Sequence, residues 1–299
     1  MNAGAGAFGG PRAARTLARR RGAVGWARGA AVAARHLLLL AASAIVILPF
    51  LWMVASSLKT PEEIVTAPLR LLPDHPRWAN YWEAIRAAPF GRFFLNSLGV
   101  SAAITIGQLT TGAMAAFALA RRNFPGRSLV FGLLVATIMI PAEITLIPDY
   151  LIVRTLGWID TYAALTVPFL ASGLAVFLLR QAFLAVPREL DEAARIDGAS
   201  GLGVLWRIVL PLCKPTLAAL AALTFLTSWN SYLWPLVVTN RMEMRPVQVG
   251  LRAFMDLDLG NRWPQLMAAS TLVMLPVLAL FVAVQRHLAA GLVSYGLKG

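Results

Sequence analysis

A polar segment between two long apolar runs carries the residues whose types and spacing are most informative. These residues are Glu192, Ala193, Ala194, Gly198, Ile208, Leu210 and Pro211. A carboxylate beside two small side chains lets another protein approach closely and offers a partner for one of its basic residues. The spacing therefore indicates a docking element, although an amphipathic helix pair with ordinary caps is an equally consistent interpretation.

The local chemistry of this segment predicts two short helices joined by a bend. Pro187 suits the first turn of a helix, where its missing N–H would be unpaired anyway, and Gly198 suits a helix end with positive φ. Ser200 can cap a second helix over Gly201–Val209, which Pro211 would terminate.

A second group of polar residues lies within the fifth apolar run of the chain, Leu217–Val238. One stripe at helical spacing consists of Thr224, Thr227, Ser228 and Ser231, and beside it lie Trp229, Asn230, Tyr232 and Trp234. Polar side chains in membrane-spanning helices generally face protein or water. The stripe predicts either the wall of a polar cavity or a packing surface between helices, and the tryptophans also suit anchors at the membrane interface.

Glu143 is the only formally charged residue within six long apolar runs. It lies between Pro141 and Pro148, towards the far end of the third run. At that place it can bind a solute hydroxyl or a partner subunit, or serve as a structural acid that reaches the outer headgroups.

The elements that must position these residues are transmembrane helices. Of the 299 residues, 58% are hydrophobic and only 14% are charged, which excludes an ordinary soluble domain. The six apolar runs are Leu37–Ser56, Phe93–Ala120, Ser128–Ile147, Tyr162–Leu179, Leu217–Val238 and Leu266–Val284. Each is close to the ~20 helical residues that cross a bilayer core. We therefore predict an all-α membrane protein with six transmembrane helices.

The distribution of charge predicts the orientation of these helices. Six crossings place both termini on one side, where the connecting segments hold 17 Lys and Arg, whereas the opposite loops hold 10. Because Lys and Arg concentrate in cytoplasmic loops, we expect a plasma (inner) membrane protein with both termini in the cytoplasm. The net charge of +13 follows from the same bias and does not indicate nucleic-acid binding.

The chain divides by composition into two regions. Residues 1–35 contain seven Arg and no acid, which predicts a disordered basic cytoplasmic tail beside anionic lipid. Residues 36–299 are expected to form the transmembrane domain. A signal peptide is the alternative interpretation of the N-terminal region, but its 20-residue apolar run exceeds the usual signal core.

The sequence contains no motif for an energy source of its own. It has no G-x-x-x-x-G-K-[ST] phosphate loop, no H-E-x-x-H pattern and no G-x-S-x-G elbow. The apolar runs also lack the acid–base pairs that proton-coupled carriers use. We therefore expect no catalytic residue, no metal site and no cofactor bound by this chain.

The spaced motif that begins at Glu192 is similar at every defining position to the EAA signature of permease subunits in binding-protein-dependent ABC importers. Other segments resemble the carbohydrate-uptake branch, in particular MalG-type subunits of maltose permeases. They include Pro187–Asp191, Ile196–Ser200, Asn96–Leu98, Ala115–Arg121 and Ser228–Asn230. The likeness runs from about Phe93 to the end of the chain, with a core over residues 93–290.

This resemblance implies a type I ABC importer transmembrane fold with a coupling loop at residues 187–211. In that family the two short helices of the loop sit in a groove of the ATP-binding subunit. Glu192 would pair with a basic residue of the ATPase, Ala193 and Ala194 would permit close docking, and Gly198 would make the bend. The anchors to the fifth span would be Ile208, Leu210 and Pro211.

The resemblance also implies partners. They are a second, homologous permease, two ATP-binding subunits that bind ATP and Mg²⁺, an extracytoplasmic solute-binding protein and membrane lipid. The likeness to MalG-type subunits favours a heterodimer of permeases. Rigid-body motion of the ATPases would switch the access of the path from one side to the other.

The substrates of this branch are mono- and oligosaccharides, polyols and glycerol 3-phosphate. The expected path residues, which would bind sugar hydroxyls or stack on sugar faces, are Glu143, Thr227, Trp229, Asn230, Ser231 and Tyr232. No Lys or Arg lies within the six runs, which favours a neutral sugar. Because Tyr232–Leu236 also resembles glycerol-3-phosphate permeases, that substrate or a polyol is the alternative. A stand-alone secondary carrier is the alternative from another class.

Overall fold

The protein is described here by a computed structural model that covers residues 11–66, 70–255 and 262–296, with side chains from Val32 to Gln285 within these ranges. Nearly all of the secondary structure is α-helical, and no strand occurs among the described residues. Helices satisfy their backbone hydrogen bonds internally, as a chain in lipid requires. The predicted all-α class is confirmed.

The chain forms two compact units, residues 1–55 and 56–299. Helix α1 (Pro11–Ser57) makes up the first unit, and its apolar part, Val32–Ser57, is long enough to cross a membrane. Helix α1 begins at Pro11, within residues 1–35, for which the sequence predicts a tail. Ala and Arg are strong helix formers, and no proline interrupts the chain between Pro11 and Pro49. Residues 1–10 of the predicted tail lie outside the described residues.

The second unit is a succession of helices of very different lengths. Its first part comprises α2 (Pro61–Thr66), α3 (Ala79–Ala87), α4 (Phe90–Arg121), α5 (Arg127–Ile138), α6 (Ala142–Thr155), α7 (Tyr162–Thr166) and α8 (Gly173–Leu184). Its second part comprises α9 (Arg188–Ile196), α10 (Gly201–Val204), α11 (Leu210–Leu212), α12 (Lys214–Trp229), α13 (Leu233–Val238), α14 (Val247–Gly250) and α15 (Trp263–Gly296). Single 3₁₀ turns occur at Val167–Phe169, Met242–Met244 and Leu251–Phe254.

Three predicted spans are bent rather than straight. Among the described residues, α4, α15 and the apolar part of α1 are each long enough to cross a membrane, and three bent helix pairs bring the number to six if each pair is one span. The third run bends by 100° between α5 and α6. Pro141 lies at this bend. The helix breaks there because proline cannot donate a backbone hydrogen bond and disfavours helical backbone at the residue before it.

The fourth and fifth runs also depart from single helices. The helical segment Tyr162–Phe169 meets α8 at 43°, and the helix that ends at Leu212 meets α12 at 85°. Helix α12 ends at Trp229, whereas the sequence predicts one helix from Leu217 to Val238. The remainder of that run forms the short α13 after an interruption at residues 230–232.

Helix α4 is the central helix of the second unit. It packs against α8 and α12, and α12 packs in turn against α15. Gly112 lies at a tight contact, since a Cβ added there would lie 3.1 Å from the Cβ of Ala175. Small residues let membrane helices approach closely, and the resulting dispersion contacts hold them together where lipid provides no hydrophobic driving force.

Three buried apolar clusters complete the second unit. One lies where the C-terminal half of α4 meets α8 and residues 187–211, and includes Leu205. The second joins α3, α4, α12 and α15 around Trp229. The third joins α4, α6, α7 and α13 around Trp234. The first cluster supports the predicted docking element, and the other two lie beside the predicted path.

Candidate functional site

Residues 187–211, here called the 187–211 segment, form the predicted bent pair of helices. Helix α9 begins at Arg188, immediately after Pro187, and ends at Ile196. Gly198 has φ of 85°, the left-handed conformation that the sequence predicts for it. The Ser200 hydroxyl accepts a hydrogen bond from the Gly203 N–H at 3.1 Å, so the predicted cap of the second helix is confirmed.

The second helix of the segment continues further than predicted. After α10 the chain widens into a π turn, Leu205–Val209, and then returns to α-helix as α11. Pro211 lies inside this helix, so the prediction that it ends the helix is wrong. A widened turn accommodates a proline, because its ring crowds the preceding turn and it has no N–H to donate.

The two faces of α9 have different environments. Asp191 and Ala194, three positions apart, face inward and are buried. Glu192 and Ala193 are exposed, and the Ile196 side chain is 87% exposed. Of the two predicted docking alanines, only Ala193 is therefore available to a partner, because Ala194 is part of the buried cluster on α4 and α8.

The inner face of the second helix anchors the 187–211 segment. Val209 and Leu210 are buried in the same cluster, and Ile208 packs against it from a half-buried position. Pro211 is exposed. Two of the three predicted anchors, Ile208 and Leu210, therefore contact the helix bundle, whereas Pro211 lies on the surface.

Sequence reasoning missed the inward contact of Asp191. Asp191 forms a buried ion pair with Arg121, the last residue of α4. The two residues are 70 positions apart, and no local pattern connects them.

A cavity of about 570 Å³ lies between α4, α6 and α12. The predicted polar residues that line it are Glu143, Thr224, Thr227, Ser228, Ser231, Tyr232 and Trp234. The Trp234 Nε1–H donates to the Ala164 carbonyl at 2.9 Å, and the Phe169 ring meets the indole edge-on at 5.7 Å. The polar stripe therefore faces a cavity, which is one of the two interpretations that its sequence allowed.

Two predicted path residues lie elsewhere. Trp229 is 1% exposed and stacks on Phe225, with ring centroids 5.6 Å apart. These rings are four residues apart and share the face of α12 that turns away from the stripe. Asn230 caps the end of α12 on the surface, where its Oδ1 accepts a hydrogen bond from Gln248 Nε2 at 3.2 Å. The structure does not bring either residue to the cavity.

Gln108 and Asp149 also line the cavity, although the sequence analysis did not select them. Gln108 is an uncharged polar residue within the second apolar run, and its polarity there could have indicated a position at the cavity. Asp149 lies beyond the predicted third run, which ends at Ile147, but α6 continues through Pro148 to Thr155 and brings Asp149 to the cavity.

The chemistry of the cavity suits a ligand with several hydroxyl groups. The hydroxyl oxygens of Ser101 and Ser228 are buried and have no hydrogen-bond partner within the described part of the chain. Glu143 and Asp149 can accept hydrogen bonds, and the Tyr232 hydroxyl can donate or accept. No Lys or Arg is among the described residues that line the cavity. Hydroxyl groups satisfy such a set of side chains, whereas a phosphate group favours a cation.

Comparisons with known proteins identify one matching family and several relatives. The family described as binding-protein-dependent transport system inner membrane component matches residues 108–294. The sn-glycerol-3-phosphate transport system permease protein UgpE of Yersinia pestis bv. Antiqua (strain Antiqua) is 37% identical over 267 residues, which cover 87% of this chain and 95% of the relative. The protein of the same name from Brucella abortus (strain 2308) is 38% identical with the same coverage.

Solved structures show a similar fold. A chain of a bacterial ABC transporter involved in the import of the acidic polysaccharide alginate superimposes with a TM-score of 0.77 and 24% identity, covering 85% of this chain and 95% of that one. A chain of the bacterial alginate ABC transporter in complex with alginate pentasaccharide-bound periplasmic protein gives a TM-score of 0.60 and 15% identity, with 83% and 91% covered.

Proposed function

The chain belongs to the family of inner membrane components of binding-protein-dependent transport systems, and we propose that it forms part of a carbohydrate path and couples this path to an ATP-binding subunit. It is a multi-pass permease of an ABC importer. The observation that most supports the proposal is the fold of the 187–211 segment. Its inner face packs on α4 and α8, and its outer face presents Glu192 and Ala193.

The proposed contact with the ATP-binding subunit uses this outer face. Glu192 pairs with a basic residue of that subunit, and the small Ala193 lets its surface come close. Gly198 sets the angle between the two helices, because its positive φ is open to few other residues. Ile208 and Leu210 hold the second helix to the bundle.

We assign the 187–211 segment to the cytoplasmic side and propose six spans with both termini in the cytoplasm. The bias of Lys and Arg towards this side supports the orientation. The core of the permease domain is residues 93–290, and the 187–211 segment is its coupling loop. ATP and Mg²⁺ bind to two partner subunits, and a second, homologous permease completes the path as a heterodimer.

An extracytoplasmic solute-binding protein is the expected partner on the opposite side. The surface there is held in place by side-chain bonds to backbone groups, which suits a docking site. Asn96 Nδ2 donates to the Glu243 carbonyl at 2.7 Å. Asp160 Oδ1 accepts from the N–H groups of Asn240 and Arg241 at 2.6 and 2.8 Å.

The substrate that the cavity supports best is an uncharged carbohydrate. Among the residues that the structure describes, two carboxylates and no cation line the cavity, so a phosphate group would meet repulsion rather than a bidentate partner. A second candidate, sn-glycerol 3-phosphate, is favoured by the names of the relatives. For that substrate the necessary cations would have to come from the partner permease.

Stimulation of ATP hydrolysis in the reconstituted complex tests both the assembly and the substrate. The complex would contain both permeases and the ATP-binding subunits in liposomes, with solute-binding protein loaded from a panel of neutral sugars, polyols and sn-glycerol 3-phosphate. We expect stimulation with a neutral sugar. Stimulation with sn-glycerol 3-phosphate alone would establish the second candidate.

Liposomes that contain this chain alone test whether it is a secondary carrier. We expect liposomes that contain only this chain to accumulate no solute under an imposed proton or sodium gradient. Accumulation by the purified chain without ATP-binding subunits would overturn the proposed function.

A further inference from the structure

Two charged side chains are buried where the 187–211 segment meets α4. Arg121 Nε lies 2.9 Å from Asp191 Oδ2, and the side chains are 2% and 6% exposed. Arg121 Nη2 also donates to the Val186 carbonyl at 2.8 Å, where the chain passes from α8 to α9. One guanidinium group therefore joins the end of α4, the exit from α8 and the first turn of α9.

The surroundings of this ion pair are apolar. Ala120, Val186 and Ala194 are all members of the buried cluster at this end of α4. Asp191 Oδ1 is buried and has no hydrogen-bond partner within the described part of the chain. An incompletely satisfied buried pair adds little net stability over an apolar pair of similar volume. The physical contribution of the Arg121–Asp191 pair is to fix one relative arrangement of α4, the exit from α8 and α9.

The other carboxylates of α9 and its bend are on the surface. Glu189, Glu192 and Asp197 are exposed, whereas Asp191 is buried. The acids of the segment are thus divided between an outer face that is open to a partner and a single inward contact with the bundle.

Helix α4 connects this contact to the cavity. It runs without a proline from Phe90 to Arg121, and Ser101 and Gln108 on the same helix line the cavity. Gln108 and Arg121 are separated by about 20 Å along the helix axis, given a rise of about 1.5 Å per residue. A displacement of the last turn of α4 therefore moves the cavity wall as part of one rigid element.

We propose that the Arg121–Asp191 ion pair is a positioning contact that transmits movement of the 187–211 segment through α4 to the wall of the cavity. The proposal rests on the proposed function, because it takes the 187–211 segment as the contact with an ATP-binding subunit. Both residues act through α4 and do not touch the solute.

The test replaces both charges by apolar residues of similar size, Arg121→Met with Asp191→Leu, in the reconstituted complex with its loaded binding protein. Glu189→Gln is the matched control, since it removes an exposed carboxylate from the same turn of α9. We expect the double variant to assemble and to hydrolyse ATP, but to transport about tenfold less solute per ATP, within the usual range of coupling between sites. The control should keep the wild-type ratio.

A second variant keeps the test decisive if the double variant does not assemble. Lysine in Arg121→Lys retains the charge opposite Asp191, but its single ammonium lacks the fork that also reaches the Val186 carbonyl. We expect a complex with a reduced ratio of uptake to ATP hydrolysis. A wild-type ratio in an assembled double variant, or in Arg121→Lys when the double variant does not assemble, overturns the positioning role.

Glu192→Ala separates this inference from the proposed function. If Glu192→Ala loses stimulated hydrolysis while the Arg121/Asp191 variants behave as wild type, only the positioning role is lost. If Glu192→Ala also behaves as wild type, the assignment of the 187–211 segment as the contact with the ATP-binding subunit is wrong.

Discussion

The hydroxyl of Thr224 on α12 donates a hydrogen bond to Oε1 of Gln108 on α4, over 3.1 Å. Gln108 Nε2 donates in turn to the carbonyl of Phe169, over 2.9 Å. Thr224, Gln108 and Phe169 all line the cavity. One amide group therefore fixes α4, α12 and the turn after α7 relative to one another, at the place where the solute is proposed to pass.

Replacing Gln108 by Leu should destabilise the protein. The change keeps the side-chain size but leaves the Phe169 carbonyl and the Thr224 hydroxyl unpaired, which costs about 1–3 kcal/mol for such a group in apolar surroundings. We expect a lower Tm in detergent. Thr110→Val is the control, because within the described ranges the Thr110 hydroxyl bonds only to the Ile106 carbonyl of its own helix, at 2.7 Å. Equal losses of Tm in both variants would contradict the bridging role of Gln108.

Substitutions at Gly198 should act through the backbone. A Cβ added there meets no atom within 4 Å, but φ is 85°, a conformation that costs L-residues about 1–2 kcal/mol. We expect Gly198→Ala to reduce stimulated ATP hydrolysis more than Gly198→Asn, since Asn adopts this conformation more readily. Gly198→Asp should abolish transport and assembly although the isolated subunit still inserts, because it differs from Gly198→Asn by a negative charge on the exposed surface of the segment. Undiminished uptake by the Asp variant would exclude the docking role of the bend.

Trp229 and Tyr232 should respond in opposite ways to truncation. Trp229 is packed between Phe225 and Phe94, so Trp229→Ala should lower the free energy of unfolding by about 3–5 kcal/mol. Tyr232 is exposed at the cavity, so Tyr232→Ala should leave the Tm nearly unchanged and reduce the stimulation of ATP hydrolysis by loaded binding protein. A stable Trp229→Ala variant with lost stimulation would instead place the indole in the path.

The loop between α1 and α4 should lose local protection at low pH. Glu63 accepts hydrogen bonds from the N–H of Thr60 at 2.9 Å and of Asp74 at 3.0 Å, and these bonds, above all that of Thr60, lower the pKa of Glu63 from its ordinary value of 4.5. A lowered pKa in the folded state means that the stabilisation is present above the ordinary value. It is lost as the pH falls through the lowered one.

Hydrogen exchange measures this effect directly. We expect the protection factors of the Thr60 and Asp74 amides to fall on acidification below pH 4.5 in the wild-type protein. In Glu63→Gln they should be independent of pH over the same range, while Glu62→Gln should behave like the wild type. If the protection of the two amides still depends on pH in Glu63→Gln, the effect belongs to another group.

The positions of the helices were largely predictable, but their bends were not. The apolar run Phe93–Ala120 corresponds closely to α4, because length and apolarity are properties of the sequence alone. The break at Pro141 was not predicted, since a proline can either kink a membrane helix or end it, and the neighbouring helices decide which.

The candidate site shows the same division between local and distant information. The positive φ of Gly198 and the cap at Ser200 follow from residues within a few positions, and both were predicted. The helical spacing of the polar stripe correctly indicated that Thr227 faces the cavity. It did not show that Trp229 lies on the other face of α12. The pairing of Asp191 with Arg121 joins distant positions and becomes visible only in the fold.

The tight approach of α4 and α8 at Gly112 restricts how this protein can change during evolution. A methyl group at position 112 would already press against Ala175, so an enlargement of either residue requires a reduction of the other or a separation of the two backbones. Positions 112 and 175 should therefore vary together among relatives, and neither should tolerate a branched side chain while its partner stays unchanged.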